Sequence, residues 1–193
     1  MPKVIDLTHL FEVTTIAYAQ SGYERTATKD IAAKAQVNEA TLYRRFGTKG
    51  ALIREAVTHV LKTSPFGQVV GTGDLRDDLT AIVNAYIATF HSYGNVVATL
   101  LIEAPRYAEL EGVQTVLRPN LLRVAKILEG HQADGNLVPG SPLRLTLKLI
   151  APLAILGLLR NAASAAEFDL DGLDSAEIVD EFMKGHVVLR VSG

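Results

Sequence analysis

The stretch that decides the fold is Thr28-Lys-Asp-Ile-Ala-Ala-Lys-Ala-Gln-Val-Asn-Glu-Ala-Thr-Leu-Tyr-Arg-Arg-Phe46. Its first half predicts a short helix. Thr28 is the predicted N-cap, and Asp30 in the first turn has a charge that suits the helix dipole. Three apolar or small residues form one face of this helix: Ile31, Ala32 and Ala35. The two alanines on that face allow a second helix to approach closely.

The second half of the stretch predicts another short helix after a turn at Gln36-Val37. Asn38 is its predicted N-cap. Leu42 and Phe46, four residues apart, share the inward face. The other side chains of this helix are expected on or near the outside: Glu39, Ala40, Thr41, Tyr43, Arg44 and Arg45. Two short helices at this spacing, the second with exposed polar and basic groups, are typical of a helix-turn-helix that places a recognition helix in the major groove of DNA.

The distribution of charge favours the same interpretation. Residues 1–63 hold nine Lys/Arg and six Asp/Glu, a net of +3, whereas residues 64–193 hold ten and fifteen, a net of −5. This asymmetry indicates a basic N-terminal part that binds a polyanion and an acidic C-terminal part that does not. Composition excludes several other classes, because 48% of the 193 residues are hydrophobic and none is cysteine. Disordered chains, disulfide scaffolds, thiolate metal sites and cysteine nucleophiles are ruled out.

The remaining chain predicts further helices and no strands. Ser64–Gly73, with one proline and three glycines, predicts a linker where the net charge changes sign. Residues 143–159 carry apolar side chains all around the helix axis, which predicts burial on nearly every side. The longest uncharged stretch, Leu79–Ile102, contains polar side chains whose insertion into a bilayer is unfavourable, so it is not predicted to span a membrane. With no signal-peptide pattern at the start, the sequence predicts a cytoplasmic, all-α protein of about nine helices with no membrane partner.

The first third of the chain resembles the tetracycline-repressor (TetR) family of bacterial transcription regulators. The most specific part is Thr41-Leu42-Tyr43-Arg44-Arg45-Phe46 followed by Lys49. The resemblance also rests on Leu10-Phe11, Tyr18, Gly22-Tyr23, Thr28, Ile31-Ala32, Ala35, Val37 and Leu52. It implies a helix-turn-helix DNA-binding domain over residues 1–50, a connecting helix over 51–63, and a larger helical ligand-binding and dimerisation domain over 64–193.

The resemblance and the outward positions together predict a set of DNA contacts. They are Thr28, Lys29, Glu39, Ala40, Thr41, Tyr43, Arg44, Arg45 and Lys49. Tyr43 and Lys49 are expected to bind phosphates, as are Thr28 and Lys29. Arg44 and Arg45 are expected to read guanine or bind phosphate, and Ala40 and Thr41 to meet base edges or thymine methyls.

Several residues depart from the family pattern. Val13-Thr14 replaces a usual pair of alanines in the first helix and Ala40 stands where glycine is common, and neither change removes a predicted DNA contact. The departures at Gln36 and Glu39 have larger consequences. Gln36 stands where the family usually has glycine, so a left-handed backbone there is expected to cost about 1 kcal/mol. A slightly reshaped turn is the alternative. Glu39 introduces a carboxylate near phosphates, and two roles are open for it. It either accepts a hydrogen bond from cytosine N4 or interacts only with the helix dipole.

The larger domain of the family usually holds a small-molecule inducer, and the last two helices usually pair across a two-fold axis. The predicted ligand-binding residues are Tyr86, Phe90, His91, Leu101, Glu103, Arg106 and Asn161. Because they lie among apolar helix faces, a lipophilic ligand is expected. A homodimer would hold two recognition helices about 34–36 Å apart or a multiple of that, so an inverted-repeat operator is expected.

Other functional classes have less support. The five histidines lack metal-site spacing, and Gly71-Thr-Gly-Asp-Leu-Arg76 lacks the third glycine of a dinucleotide-binding fingerprint. The sequence therefore predicts no enzyme, metal or cofactor. A transcriptional activator, or a protein-binding scaffold with the same fold and no inducer, stays open beside the repressor.

Overall fold

The computed structural model describes residues 5–93, 96–163 and 172–188. This part of the chain contains ten α-helices, two 3₁₀ helices and no strand, with one isolated antiparallel bridge between Leu137 and Val187. The helices are α1 (Leu7–Arg25), α2 (Thr28–Lys34), α3 (Glu39–Phe46), α4 (Lys49–Thr63), α5 (Pro65–Gln68), α6 (Leu75–Tyr93), α7 (Val96–Glu103), the 3₁₀ helices Ala108–Leu110 and Val113–Val116, α8 (Leu117–Ala133), α9 (Pro142–Ala163) and α10 (Ser175–His186). The all-α prediction is confirmed.

The structure has one α-helix more than the predicted nine within its described ranges. The short helix α5 lies in the predicted linker. Ser64 caps it, since its hydroxyl accepts a hydrogen bond from the Gly67 N–H at 3.2 Å, and Pro65 occupies the first helical position. Proline lacks an N–H that this position would leave unpaired, so the Ser-Pro pair starts a helical turn where the sequence pattern indicated only a connection. No helix in the described ranges is long and apolar enough to span a membrane.

The chain forms two compact units. The first comprises Met1–Thr63 and His91–Arg118, and the second comprises Ser64–Phe90 and Pro119–Gly193. The boundaries of these compact units differ from those of the predicted functional domains, because residues 91–118 pack with the N-terminal residues. The functional division at residues 50 and 63 stays a prediction.

The core of the first unit consists of two clusters that pack against neighbouring rows of α4. One row of α4 side chains (Leu52, Ala56 and Val60) packs in a cluster with Leu10 and Phe11 of α1 and with residues of α2 and α3. The adjacent row packs in a second cluster with Tyr18, Tyr23, Val96, Leu100 and Leu110, and consists of Ile53, Val57 and Leu61. Both rows repeat every four residues, so they are neighbouring ridges on one helix. Helix α4 is thus the common support of the helix-turn-helix and of α7.

The turn between α2 and α3 has the left-handed residue at Gln36, the costly one of the two alternatives at this position. Gln36 has φ 54°, the only positive φ of a non-glycine residue within the described ranges. The Val37 N–H donates to the Ala32 carbonyl at 2.9 Å, a hydrogen bond that closes the end of α2. A left-handed residue is needed for this closure, and the Cβ of glutamine makes that conformation unfavourable.

Replacing Gln36 by glycine is expected to stabilise the protein by about 1 kcal/mol, because glycine adopts a positive φ without the Cβ penalty. For a chain of this size the melting temperature should rise by about 2–4 °C. Differential scanning calorimetry of both proteins measures this shift. Gln36→Ala is the control, since alanine keeps the Cβ and should give no gain. A lower melting temperature for Gln36→Gly would contradict the strain at this turn.

The second unit has one continuous core formed by α6, α8, α9 and α10. Its buried members include Leu79, Ile82, Val83, Val124, Leu128, Leu145, Leu149, Leu153, Val179 and Phe182. The prediction that residues 143–159 are buried on nearly every side is wrong for one row. Leu143, Leu147, Ile155 and Leu159 are 38–56% exposed in the single chain. This row lies on the face of α9 opposite to the core.

A buried hydrogen-bonded pair lies inside the same unit. Asp78 near the start of α6 and His131 near the end of α8 are 1% and 2% exposed, and their side chains are 2.8 Å apart. Asp78 also accepts hydrogen bonds from the N–H and hydroxyl of Thr72 at 2.6 and 2.8 Å and from the Gly73 N–H at 3.3 Å. Burial alone would raise the pKa of Asp78, but these donors and His131 together hold it below its ordinary value.

Candidate nucleic-acid interface

Helix α3 is fixed to the protein by the two residues that the sequence placed inside. Leu42 is 1% exposed and Phe46 is 8% exposed. The start of the helix is also as predicted, because the Asn38 side chain accepts a hydrogen bond from the Ala40 N–H at 2.8 Å. With one face held by Leu42 and Phe46, the opposite face must point to solvent.

The predicted DNA contacts of α3 lie on that outer side. Ala40, Tyr43, Arg44 and Arg45 are exposed, and Glu39 and Thr41 are partly exposed. Tyr43 is 48% exposed, although Leu42 and Phe46 of the same helix are buried. The guanidinium carbon of Arg45 lies 5.7 Å from the centroid of the Phe46 ring. Helix α3 therefore presents two arginines, a phenol and two small side chains together, a set suited to phosphates and base edges.

Thr28 and Lys29 belong to the neighbouring helix α2. Lys29 is exposed, whereas Thr28 is only 8% exposed. The prediction that Thr28 caps α2 with its side chain is wrong. The helix starts at Thr28, its N-cap is Ala27, and no side chain caps it. The Thr28 hydroxyl instead lies 2.6 Å from Glu39 Oε1 and 3.0 Å from the hydroxyl of Tyr43, because α3 packs close enough to compete for it.

Lys49 begins α4 and connects it to the end of α1. Its ammonium donates to the carbonyls of Tyr23 at 2.7 Å and Glu24 at 3.3 Å, and it lies 4.3 Å from the centroid of the Tyr23 ring. The cation thus stabilises carbonyl groups at the C-terminal end of a helix. An ammonium has three donors, so two carbonyls leave one for a phosphate oxygen. The charge of the predicted contact set is net +3, from Lys29, Arg44, Arg45 and Lys49 against Glu39.

The predicted ligand-binding residues are divided between the two compact units. Tyr86 and Phe90 lie in the second unit. Tyr86 packs edge-on against Phe66 with ring centroids 5.5 Å apart, and burial raises its pKa to about 12. Gly157 approaches the Phe90 ring so closely that a Cβ there would lie 2.6 Å from a ring carbon. Both aromatic rings therefore serve as packing in this unit.

The other predicted ligand residues, apart from Asn161, belong to the first unit: His91, Leu101, Glu103 and Arg106. Leu101 is 51% exposed and Arg106 is exposed. Glu103 has a structural partner, since its carboxylate accepts a hydrogen bond from the Tyr23 N–H at 2.8 Å. Asn161 lies in α9, but its side chain is outside the described part of the structure. Ligand binding by these residues stays a prediction.

The contact between Glu103 and Tyr23 is a feature that sequence reasoning missed. Gly22 interrupts α1 with φ 74° and ψ 176°, and the kink frees the Tyr23 N–H for the carboxylate. The Gly22-Tyr23 pair is the only local signal for this kink. The sequence gives no indication that a carboxylate 80 residues away would satisfy it.

A cavity of about 490 Å³ lies between α9 and α10 in the second unit. Its lining includes Leu149, Leu153, Phe182, Lys148, Glu181 and His186. None of the predicted ligand residues lines it. Among the described residues, no three His, Asp or Glu side chains are grouped so that they could hold a metal ion.

Family comparisons match both parts of the chain. Residues 10–56 match the model described as "Bacterial regulatory proteins, tetR family". Residues 69–175, more than half of the chain, match the model described as "Tetracyclin repressor-like, C-terminal domain". The first match contains α2, α3 and the start of α4, where the candidate interface lies.

Curated relatives include uncharacterized HTH-type transcriptional regulators of Mycobacterium bovis and Mycobacterium tuberculosis. Each is 28% identical over 106 residues, which cover 55% of this chain and 52% of the relative. The matched region thus spans about half the length of these relatives.

Solved structures of low sequence identity share the fold. A putative TetR-family transcriptional regulator from Mesorhizobium loti is 18% identical, with a TM-score of 0.68 over 94% of this chain and 96% of that one. A TetR family transcriptional regulator from Pseudomonas syringae pv. tomato is 19% identical, with a TM-score of 0.67 over 96% of this chain and 100% of that one. These likenesses extend along nearly the whole length of each chain.

Proposed function

Because the chain belongs to the TetR family of bacterial regulatory proteins, we propose that it is a DNA-binding transcriptional regulator that represses its target genes. It binds an inverted-repeat operator as a homodimer, and a small lipophilic ligand releases it. The single observation that carries the proposal is the outer face of α3. A helix anchored by Leu42 and Phe46 exposes Tyr43, Arg44 and Arg45 on its other side. The major groove admits one such helix.

The exposed row on α9 supports a homodimer. Leu143, Leu147, Ala151, Ile155 and Leu159 are all exposed and follow each other at intervals of four residues. Such a ridge packs into the grooves of a second helix, and the row is about 24 Å long at 1.5 Å per residue. A second copy of the chain is the proposed partner, because a two-fold axis brings the same ridge from both protomers together.

Replacing Ile155 by glutamate is expected to break this dimer. Ile155 is the most exposed residue of the row at 56%, so the fold of the protomer should tolerate the change. A charge buried at the interface should weaken association about a hundredfold. Light scattering should give twice the 20.8 kDa protomer mass for the wild type and the protomer mass for the variant. Lys126→Glu, at a side chain 84% exposed on α8, should stay dimeric. A dimeric Ile155→Glu protein would contradict the assignment of this row.

DNA binding is tested by titrating the protein with the DNA that flanks its own gene, over several salt concentrations. The affinity should fall linearly with salt on a double-logarithmic plot. Arg44→Ala should weaken binding about tenfold if this guanidinium is paired with DNA, and a lost phosphate contact should reduce the slope by about one. Arg123→Ala removes the same charge from an exposed position on α8 and should bind like the wild type. Equal affinity of all three proteins would remove Arg44 from the predicted DNA contacts, and wild-type binding that does not depend on salt would contradict the proposed function.

A further inference from the structure

Three side chains at the candidate interface form a continuous chain of hydrogen bonds. The Thr28 hydroxyl lies 2.6 Å from Glu39 Oε1, and the Tyr43 hydroxyl lies 3.0 Å from the Thr28 oxygen. We name these three residues the hydroxyl relay. It joins α2 to both the first turn and the middle of α3.

The chemistry of the groups fixes the direction of the relay. An ionised carboxylate can only accept, so Thr28 must donate its hydrogen to Glu39. Thr28 has one hydroxyl hydrogen, and its oxygen is then left as the acceptor for the Tyr43 hydroxyl. The hydrogen of Tyr43 therefore points inward to Thr28, and the hydrogen of Thr28 points inward to Glu39.

This direction conflicts with phosphate binding. A phosphate oxygen also only accepts, so Thr28 and Tyr43 can bind it only by donating the hydrogens that the relay already uses. Thr28 is 8% exposed and has little freedom to turn outward, whereas Tyr43 is 48% exposed and lies at the solvent end. Glu39 accepts the Thr28 hydrogen, and the Thr28 oxygen then accepts the Tyr43 hydrogen. The Tyr43 hydrogen is therefore not available to a DNA phosphate while this arrangement persists.

We propose that Glu39 is a positioning residue that weakens binding to the DNA backbone by holding the hydroxyl hydrogens of Thr28 and Tyr43 within the protein. The proposal rests on the proposed DNA-binding function. Glu39 then sets the affinity for every sequence alike and does not choose a base. Glu39 acts on DNA binding in two ways that can be separated. It accepts the hydrogen bond that orients the two hydroxyls, and its negative charge repels phosphate.

Two substitutions separate these two effects. Glu39→Gln removes the charge but leaves an amide oxygen in place to accept from Thr28. Glu39→Asp keeps the charge, but its side chain is one methylene shorter and is expected to end beyond hydrogen-bond distance of Thr28. Each is made in the wild type and in Tyr43→Phe, which lacks the phenol hydroxyl. Thermal unfolding of every variant checks whether the fold is kept.

Affinity is measured on the DNA flanking the gene and on an unrelated duplex of equal length. Glu39→Asp should bind both duplexes about fivefold more tightly, because the Tyr43 hydrogen becomes available to phosphate. The slope of affinity against salt should not change, since no charge is lost. In Tyr43→Phe the gain from Glu39→Asp should disappear, whereas any gain from Glu39→Gln should persist because it comes from charge alone.

Three results would overturn the proposal. An equal gain from Glu39→Asp with and without the Tyr43 hydroxyl would leave no role for the relay. A loss of affinity would mean that Glu39 helps phosphate binding. A change confined to one base pair of the operator would make Glu39 a base-reading residue. Failure of the wild type to bind either duplex in a salt-dependent way would instead refute the proposed DNA-binding function, which is a distinct result.

Discussion

Replacing Asp78 by alanine is expected to lower the free energy of unfolding by about 3–5 kcal/mol, because several hydrogen-bond donors lose their buried acceptor. The carboxylate is 1% exposed and accepts hydrogen bonds from Thr72, Gly73 and His131. Its removal leaves the 2% exposed His131 without the partner of its Nε2 and frees the loop before α6. A buried polar group without a partner costs much more than the net gain of a typical hydrogen bond.

Urea denaturation at pH 7 measures this loss. Asp77→Ala is the matched control, because Asp77 is the adjacent, exposed carboxylate in the same helical turn and should contribute about 0.3–1 kcal/mol through the helix dipole. A loss for Asp78→Ala no larger than that for Asp77→Ala would contradict the buried pair.

The pH dependence of stability gives a second test of Asp78. The pKa of the folded protein is below the ordinary value of 3.8, so the unfolded chain takes up the proton first. The stabilisation is therefore present above pH 3.8 and is lost as the pH falls through the lower folded-state pKa. Asp78→Asn should lack this part of the acid transition, and an unchanged transition would contradict the assignment.

The second large effect is expected at Gly22. Its backbone angles of φ 74° and ψ 176° lie in a region that is essentially restricted to glycine, and a Cβ there would collide with Glu103 Oε1. Gly22→Ala therefore combines backbone strain with loss of the hydrogen bond from the Tyr23 N–H to Glu103. We expect a loss of about 2–4 kcal/mol in the free energy of unfolding.

Gly47→Ala is the control for backbone strain without a collision. Gly47 has φ 77°, but a methyl group at this position would meet no other atom within 4 Å. It should cost about 1–2 kcal/mol, less than Gly22→Ala. In the Glu103→Ala background, the cost of Gly22→Ala should fall toward that of Gly47→Ala because the collision is gone. If the loss of unfolding free energy from Gly22→Ala is the same with and without Glu103→Ala, Glu103 and Gly22 do not interact.

Local rules predicted the turn between α2 and α3 well. Asn38 caps α3, Leu42 and Phe46 face inward, and Gln36 has the strained φ of 54°. Each of these features depends on residues within a few positions of one another. The predicted N-cap role of Thr28 was wrong because a competing acceptor, Glu39, is 11 residues away and reaches the hydroxyl only after the two helices pack.

Contacts between residues far apart in the sequence could not be predicted from the sequence alone. The hydrogen bond between Tyr23 and Glu103 joins residues 80 positions apart, and Asp78 and His131 are 53 positions apart. The apolar pattern of α9 could not distinguish a core from a protein interface, since both remove the same side chains from water. The exposed row from Leu143 to Leu159 is visible only when the other faces of α9 are seen to be covered.

Hydroxyl-radical footprinting on the DNA that flanks the gene tests most directly whether a dimer places two copies of α3 in major grooves on the same side of the duplex. Two protected patches should appear, related by inverted symmetry and centred about 34–36 Å or a multiple of that apart. Protection should disappear with Ile155→Glu at concentrations where the wild type protects fully. A single patch, or protection no stronger than on unrelated DNA, would contradict the paired-helix mode of binding.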